Sequence, residues 1–176
     1  MSYVQELEPT HADIDVRELY GKIENRLGFL PRYFKALGAK PRVIEAQLAL
    51  NDAILEDGAL PMTLKEQIGL VVSGINTSSY CIWFHMELLR RFGIEKAVSR
   101  KLCTDYQNAP VDAKTQALFR FADKLTRNTL DFEESDVQAV RDAGWGDDEI
   151  RETILTVAYF NYINRVSLGL GVVEDF

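Results

Sequence analysis

The residues best suited to chemistry are a cysteine and a histidine near the middle of the chain. Cys81 and His85 are four residues apart, which places both side chains on one face of a helix. If Ser78 caps that helix, Cys81 lies in its first turn, where free amides and the helix dipole favour a thiolate. A nearby imidazolium also lowers the pKa of a cysteine thiol. The pattern predicts a nucleophilic sulfur beside a proton donor, which is what attack on a peroxide O–O bond requires.

Structural roles for the same residues stand beside this interpretation. A cysteine is often a small buried hydrophobic residue, and a Cys-x-x-x-His pair on a helix arises readily by chance. Glu66 completes a capping box with Thr63, in which its carboxylate would bond to the Thr63 amide. In a straight antiparallel helix pair that breaks near Ser78, Glu66 and His85 would also lie about 7 Å out of register along the axis. Spacing alone therefore does not bring Glu66 to His85.

The other polar candidates have structural explanations. Cys103 lies in an apolar stretch and is predicted to be core, whereas His11 is predicted to be solvated. Capping or subunit contacts are expected for Asn161, Asn164 and Arg165, which interrupt an apolar helix. Two cysteines and two histidines scattered along the chain do not make a structural zinc site. We expect no metal and no cofactor.

Length and composition predict a globular protein in a reducing compartment. The chain has 176 residues, of which 47% are hydrophobic, and its net charge is -7. Its densest basic spot is only Arg90-Arg91, so nucleic acid is not an expected partner. No segment approaches the ~20 apolar residues of a membrane span, and the acidic N-terminus does not resemble a signal peptide. With sparse cysteines, these features predict a cytoplasmic protein without a membrane partner.

Apolar residues recur at helical spacing and no strand-like alternation persists, which predicts an all-α fold. Residues 1–12 are predicted to form an N-terminal arm, and residues 13–176 a single helical domain. Proline, glycine and capping residues divide this domain. Helices are predicted over 15–25, 32–37, 41 to about 58, 63–75, 79–92 and 94–106, then after Pro110 with Asp112 as cap, up to Gly144, and from Asp147 onward.

Three of these helices have distinctive features. In the helix from Thr63, small residues lie off the apolar stripe and allow close approach of another helix: Gly69, Ser73 and Gly74. The helix that ends near Gly144 has Asp131 and Glu134 at the spacing of a capping box. Interior positions of the last helix are predicted at Ile150, Ile154, Val157, Ala158, Phe160 and Ile163.

With these motifs the sequence resembles the superfamily of AhpD-like alkylhydroperoxidases and carboxymuconolactone decarboxylases. The family's peroxidase motif is a Glu, eleven residues, then Cys-x-x-Cys-x-x-x-His. Glu66 matches the Glu, Cys81 the second Cys and His85 the His, with every gap preserved. Segments 28–34, 160–165 and 168–172 resemble the opening and closing parts of the peroxidase-related subgroup. The resemblance covers roughly residues 15–173.

The resemblance implies an AhpD-like bundle of about 8–9 helices, with a helical hairpin at residues 60–95 that carries the site. It implies that Cys81 attacks an alkyl hydroperoxide while His85 and Glu66 form a proton relay, supported by Ser78 and Tyr80. It further implies an external thiol or dithiol reductant and a homo-oligomer, as a dimer, trimer or hexamer.

Ser78 departs from the family pattern, because it occupies the position of the first motif cysteine. Serine cannot form the disulfide through which family peroxidases are reduced, so a sulfenic acid at Cys81 needs another thiol. Four sources of that thiol remain open: Cys103, a neighbouring subunit, a small thiol and a partner protein.

Two other functions also remain open. One is a lyase of the decarboxylase branch acting on a small lactone or ring acid, with Arg165 as candidate carboxylate ligand, and the other is a catalytically silent oligomer.

Overall fold

Every regular element among the described residues is helical. The structure is a computed structural model that describes residues 2–175. Its helices are α1 (Ile14–Leu27), α2 (Arg32–Leu37), α3 (Pro41–Leu55), α4 (Met62–Ile75), α5 (Ser79–Arg91), α6 (Lys96–Thr104), α7 (Ala113–Arg127), α8 (Glu134–Asp142) and α9 (Asp147–Leu170). Short 3-10 turns cover Tyr106–Asn108 and Thr129–Asp131. The prediction of an all-α bundle with about 8–9 helices is confirmed. Within residues 2–175, no helix has both the length and the apolar character needed to cross a bilayer.

Local capping chemistry sets several helix ends. The side chain of Asp112 accepts a hydrogen bond from the Thr115 amide at 2.8 Å, which starts α7 as predicted. After α5, Gly93 adopts a φ of 81°, a left-handed conformation that glycine reaches without strain. The capping box of α8 was predicted two residues too early. Asp136 accepts from the Glu133 amide at 2.8 Å, whereas the predicted cap Asp131 belongs to the preceding 3-10 turn.

The chain divides into two compact units, one formed by residues up to Ala53 and from Arg165 onward, the other by Ile54–Asn164. In the first unit, α1 buries one face at helical spacing, consisting of Val16, Leu19, Tyr20 and Ile23. The N-terminal segment is also hydrogen-bonded there. The amide of Tyr3 donates to the Leu170 carbonyl at 2.8 Å, and that of Leu7 to the Lys35 carbonyl at 2.9 Å.

In the second unit, α4 lies at the centre of the core. Its stripe residues Ile68, Val71 and Val72 are fully buried. The small residues beside that stripe allow close packing as predicted. A Cβ atom on Gly74 would lie 2.7 Å from the Cα of Cys103 in α6, a distance shorter than the contacts that Cβ atoms make in proteins.

The buried face of the last helix points in a different direction from the one that the sequence predicts. In the second unit it consists of Ile150, Thr153, Thr156, Val157, Tyr159, Phe160 and Asn164. Ile154 and Ala158, which were predicted to be interior, are exposed. At about 100° per residue, both lie roughly 110–150° from the middle of this buried face.

We expect Gly74→Ala to destabilise the protein by about 2 kcal/mol, because the added methyl group meets the α6 backbone and not a mobile side-chain end. Gly21→Ala in α1 is the matched control, since a Cβ there meets nothing within 4 Å. That control should stabilise the protein by about 0.5–1 kcal/mol through helix propensity. Urea unfolding of both variants measures the difference, and two changes of the same sign would contradict this packing.

Candidate active site

A short turn between α4 and α5 builds the site. Asn76 ends α4 and Ser78 precedes α5, so the two helices form the hairpin that the motif predicted. Thr77 between them has a φ of 52°, a left-handed conformation that is uncommon for a residue other than glycine. The turn places Cys81 in the first turn of α5, with His85 one helical turn further along the same face.

Glu66 and His85 meet across the hairpin. Oε2 of Glu66 lies 2.7 Å from Nδ1 of His85, and both residues are only 4% exposed. The side chains therefore bridge the axial offset that straight helices would impose. The capping box proposed for Glu66 is wrong, because α4 already begins at Met62 and Thr63 lies inside the helix.

Two neighbours fix the plane of the imidazole. The Phe160 ring packs edge-to-face on His85 with centroids 4.6 Å apart. The second neighbour is Gly69 in α4, where a Cβ atom would lie 2.9 Å from Cε1 of His85 and 2.6 Å from the Phe160 ring. Only glycine leaves room for both rings at this position. Since a carboxylate can only accept, Nδ1–H of His85 donates to Glu66, and Nε2 is left as the nitrogen that can exchange a proton with a substrate.

Cys81 is buried in the first turn of α5, with 3% of its surface exposed. Neither it nor Cys103 forms a disulfide in the described chain. Cys103 is half-buried at the edge of the core and not inside it, and its Sγ donates to the Arg100 carbonyl at 3.3 Å. Burial raises the pKa of the Cys103 thiol. At neutral pH, Cys103 is therefore less available as a thiolate than an ordinary cysteine.

Amide side chains of α9 brace the hairpin turn, a network that sequence reasoning identified only in part. Nδ2 of Asn76 donates to Oδ1 of Asn161 at 3.0 Å and of Asn164 at 3.2 Å. Asn164 in turn donates to Oγ of Ser73 at 3.1 Å. The Ser73 carbonyl then accepts the amide of Ser78 at 3.0 Å. These contacts of the two α9 asparagines with the end of α4 join side chains and do not cap the helix backbone, so the predicted capping or subunit-contact role stays a prediction.

A buried lysine beside Glu66 is a residue that the sequence analysis missed. Nζ of Lys65 lies 2.9 Å from Oε2 of Glu152 and donates to the Glu56 carbonyl at 2.7 Å. Burial would raise the pKa of Glu152, but hydrogen bonds from the Leu60 amide and from Lys65 hold it below the ordinary value. Lys65 is therefore neutralised by Glu152, while Glu66 bonds to His85.

The remaining predicted residues occupy the following places. Ser78 is the N-cap residue of α5 and is 1% exposed. Tyr80 is buried, and its ring stacks on Phe84 with centroids 6.3 Å apart. His11 and Arg165 are exposed. Among residues 2–175, no group of three or more His, Cys, Asp or Glu is arranged to hold a metal ion.

Comparison with known proteins identifies the fold and a family that the hairpin region matches. The model of the carboxymuconolactone decarboxylase family matches residues 41–123, which contain the whole hairpin. A peroxidase-related protein from Ralstonia eutropha JMP134 with an alkylhydroperoxidase AhpD core superposes with a TM-score of 0.89 at 25% identity, over 98% of this chain and 91% of that one. The chain has the fold of AhpD-like proteins, and its hairpin region matches the carboxymuconolactone decarboxylase family. Members of the AhpD/carboxymuconolactone decarboxylase superfamily are enzymes.

Two further structures show how widely the fold is used. A peroxidase-related protein from Silicibacter sp. TM1040 has a TM-score of 0.86 at 27% identity, covering 97% of this chain and 92% of that one. The debrominase Bmp8, in complex with 2,3,4-tribromopyrrole, has a TM-score of 0.82 at 17% identity, covering 98% and 91%. The similarity to Bmp8 concerns the fold alone. No curated protein matches the chain.

We expect a double-mutant cycle of Glu66→Ala and His85→Ala to show strong coupling. Each single change should destabilise the protein by about 2 kcal/mol, because it leaves a buried polar partner unsatisfied. The double variant should lose clearly less than the sum of the two. Urea unfolding gives the four free energies, and Glu45→Ala at an exposed site of α3 is the control, with a change within about 0.5 kcal/mol. Additive losses would contradict a mutual dependence of the two side chains.

Proposed function

We propose that this protein is a one-cysteine, peroxidase-like oxidoreductase that reduces alkyl hydroperoxides at Cys81. The observation that carries the proposal is the buried hydrogen bond between Glu66 and His85, which is 2.7 Å long. His85 lies one helical turn beyond Cys81, a cysteine in the first turn of α5. An imidazole held in this way has one nitrogen fixed and one nitrogen ready for proton transfer. Position at a helix N-terminus stabilises the thiolate form of such a cysteine.

Cys81, His85 and Glu66 are sufficient for the first half of the reaction, in which the hydroperoxide oxidises Cys81. The Cys81 thiolate attacks the terminal oxygen of the hydroperoxide, and the O–O bond breaks with its electron pair leaving on the alkoxide. The imidazolium of His85 gives its Nε2 proton to that alkoxide, which departs as an alcohol. Glu66 holds Nδ1–H and stabilises the positive ring before transfer. Sulfur is oxidised by two electrons and remains as a sulfenic acid.

The reductive half requires thiols from outside the hairpin. Ser78 at the first motif position cannot form a disulfide with Cys81. Two equivalents of thiol, or one dithiol, return the sulfenic acid to the thiol and release water and a disulfide. We propose an external thiol or dithiol in this role, since burial holds Cys103 in its less reactive thiol form. Assembly as a homo-oligomer stays a prediction from the family resemblance.

Oxidation of the protein by one equivalent of cumene hydroperoxide should add one oxygen atom at Cys81. Intact-mass analysis detects this addition, and dimedone traps it as a thioether that peptide mapping assigns to its cysteine. Cys103→Ser is the matched control and should react like the unchanged protein. If the Cys81→Ser variant gained the same adduct, or the unchanged protein gained none, the proposal would be lost.

Loss of the proton relay should slow the peroxide step much more than alkylation. For His85→Ala we expect the rate constant of peroxide reduction to fall by roughly 10²–10⁴, the usual contribution of general acid–base catalysis. Glu66→Gln keeps an acceptor for Nδ1–H and should lose less activity than Glu66→Ala. Stopped-flow reaction with cumene hydroperoxide, compared with iodoacetamide alkylation over a pH series, separates proton delivery from thiolate formation. Equal slowing of both reactions would argue against a relay.

A lyase acting on a small lactone or ring acid is the second candidate, favoured by the match to the carboxymuconolactone decarboxylase family over residues 41–123. Such an enzyme needs a cation for the substrate carboxylate. Lys65 is already paired with Glu152, and Arg165 is exposed, which favours the peroxidase proposal. Turnover of carboxymuconolactone-type acids that survives Cys81→Ser would reverse this order.

If Cys81 resists alkylation up to high pH and neither peroxide reduction nor lyase turnover occurs, a silent oligomer is supported.

A further inference from the structure

The hydroxyl of Ser78 is a buried polar group without a hydrogen-bond partner among the described residues. The rest of the residue is fully engaged. Its amide donates to the Ser73 carbonyl at 3.0 Å, and its carbonyl accepts the Ile82 amide at 2.9 Å. The residue is 1% exposed, so bulk water does not reach the hydroxyl. A buried hydroxyl left unsatisfied destabilises a fold by about 1–3 kcal/mol, and such a group calls for an explanation.

The position of this hydroxyl connects it with the reactive sulfur. Ser78 is the N-cap residue of α5, a helix of 13 residues. An N-cap serine normally accepts a hydrogen bond from the second or third amide of its helix, which here belong to Tyr80 and Cys81. No such cap bond forms. Both the proton and the lone pairs of the Ser78 hydroxyl are therefore unused among the described residues, three residues before Cys81 along the chain.

We propose that the Ser78 hydroxyl binds the oxygen that the Cys81 sulfur takes from a hydroperoxide. This inference rests on the function proposed above and adds a third group to that site. As the O–O bond breaks, the terminal oxygen moves to sulfur, and Oγ–H of Ser78 donates a hydrogen bond to it. The same bond then holds the oxygen of the Cys81 sulfenic acid, while His85 has served the departing alkoxide. No atom is transferred to or from Ser78.

The residue type fits this role better than the cysteine it replaces. A cysteine at this position would attack the sulfenic acid and form a disulfide, whereas a hydroxyl donates a hydrogen bond and does not react. The sulfenic acid should therefore persist in the site until an external thiol arrives.

The chain offers a matched control for testing this inference. Ser99 in α6 has the same residue type, is also 1% exposed, and its Oγ also lacks a partner among the described residues. Removing either hydroxyl should leave the urea midpoint unchanged or raise it, because each side chain loses an unsatisfied group. Only removal of the hydroxyl of Ser78 should affect the reaction of Cys81 with a hydroperoxide.

The experiment measures two quantities with cumene hydroperoxide in Ser78→Ala, Ser78→Gly, Ser78→Thr and Ser99→Ala. The first is the rate constant of Cys81 sulfenic acid formation per thiolate, with the thiolate fraction taken from the pH profile of iodoacetamide alkylation. The second is the lifetime of the sulfenic acid, from dimedone trapping at increasing delays. For both Ser78→Ala and Ser78→Gly we expect each quantity to fall by about tenfold, the factor that the loss of one hydrogen bond gives. Ser78→Thr, which keeps a hydroxyl, should restore much of the loss, and Ser99→Ala should match the unchanged protein.

Failure of the inference and failure of the proposed function give different results. If the unchanged protein forms no sulfenic acid, the proposed function is wrong and the role of Ser78 falls with it. If sulfenic acid forms but both removal variants keep its formation rate and lifetime, the function stands and the inference is overturned. The inference is also overturned if the reactions with peroxide and iodoacetamide slow equally per thiolate, since the hydroxyl would then shape the turn and not bind oxygen.

Discussion

A carboxylate and an imidazole that are both removed from water constrain this site more than any other contact. Oε2 of Glu66 and Nδ1 of His85 lie 2.7 Å apart at 4% exposure. A buried polar group without a partner is strongly unfavourable, so each of these side chains depends on the other. The spacing of α4 and α5 is thereby tied to the length of one hydrogen bond. The same bond decides the proton arrangement of the imidazole, which connects the packing of the hairpin directly to its chemistry.

The contacts around this pair follow from the need to hold it. Gly69 leaves room for the rings of His85 and Phe160, which would otherwise meet a Cβ at 2.9 and 2.6 Å. Five residues further along α4, Gly74 lets the backbone of α6 approach closely. The asparagines of α9 hold the turn through Asn76. Small residues and amide side chains thus do different parts of one task, since the former set how near the helices come and the latter set where the turn lies. Close packing of this kind leaves little freedom for the histidine to reorient.

The sequence was sufficient for features that depend on neighbours along the chain, and insufficient for those that depend on other helices. The start of α7 at Asp112, the end of α5 before Gly93 and the place of Cys81 in a first helical turn all follow from local capping rules. The partner of Glu66 did not follow, because straight-helix geometry separated it from His85 and a local capping box offered it a nearer amide. Family resemblance supplied that pairing. Lys65 was missed for a related reason, since its partner Glu152 lies 87 residues further along the chain. Ile154 and Ala158 fit the helical period yet are exposed, because the period alone does not fix the direction of the buried face.

Three buried hydroxyls without hydrogen-bond partners among the described residues disfavour the folded state, and one of them lies next to the proposed reaction site. Within residues 2–175, three buried side-chain oxygens lack a hydrogen-bond partner, those of Ser78, Ser99 and Thr156. Burial without a partner disfavours the folded state at each of them to a similar degree. Only Ser78 stands at the opening turn of α5, three residues before the thiol, where an incoming oxygen atom would satisfy it. The unsatisfied group therefore lies where the proposed reaction creates an acceptor, and the sulfenic acid would pair a hydroxyl that the resting protein leaves unpaired. By this reasoning, the replacement of the first motif cysteine changes how the oxidised sulfur is handled and leaves the chemistry of attack with Cys81, His85 and Glu66.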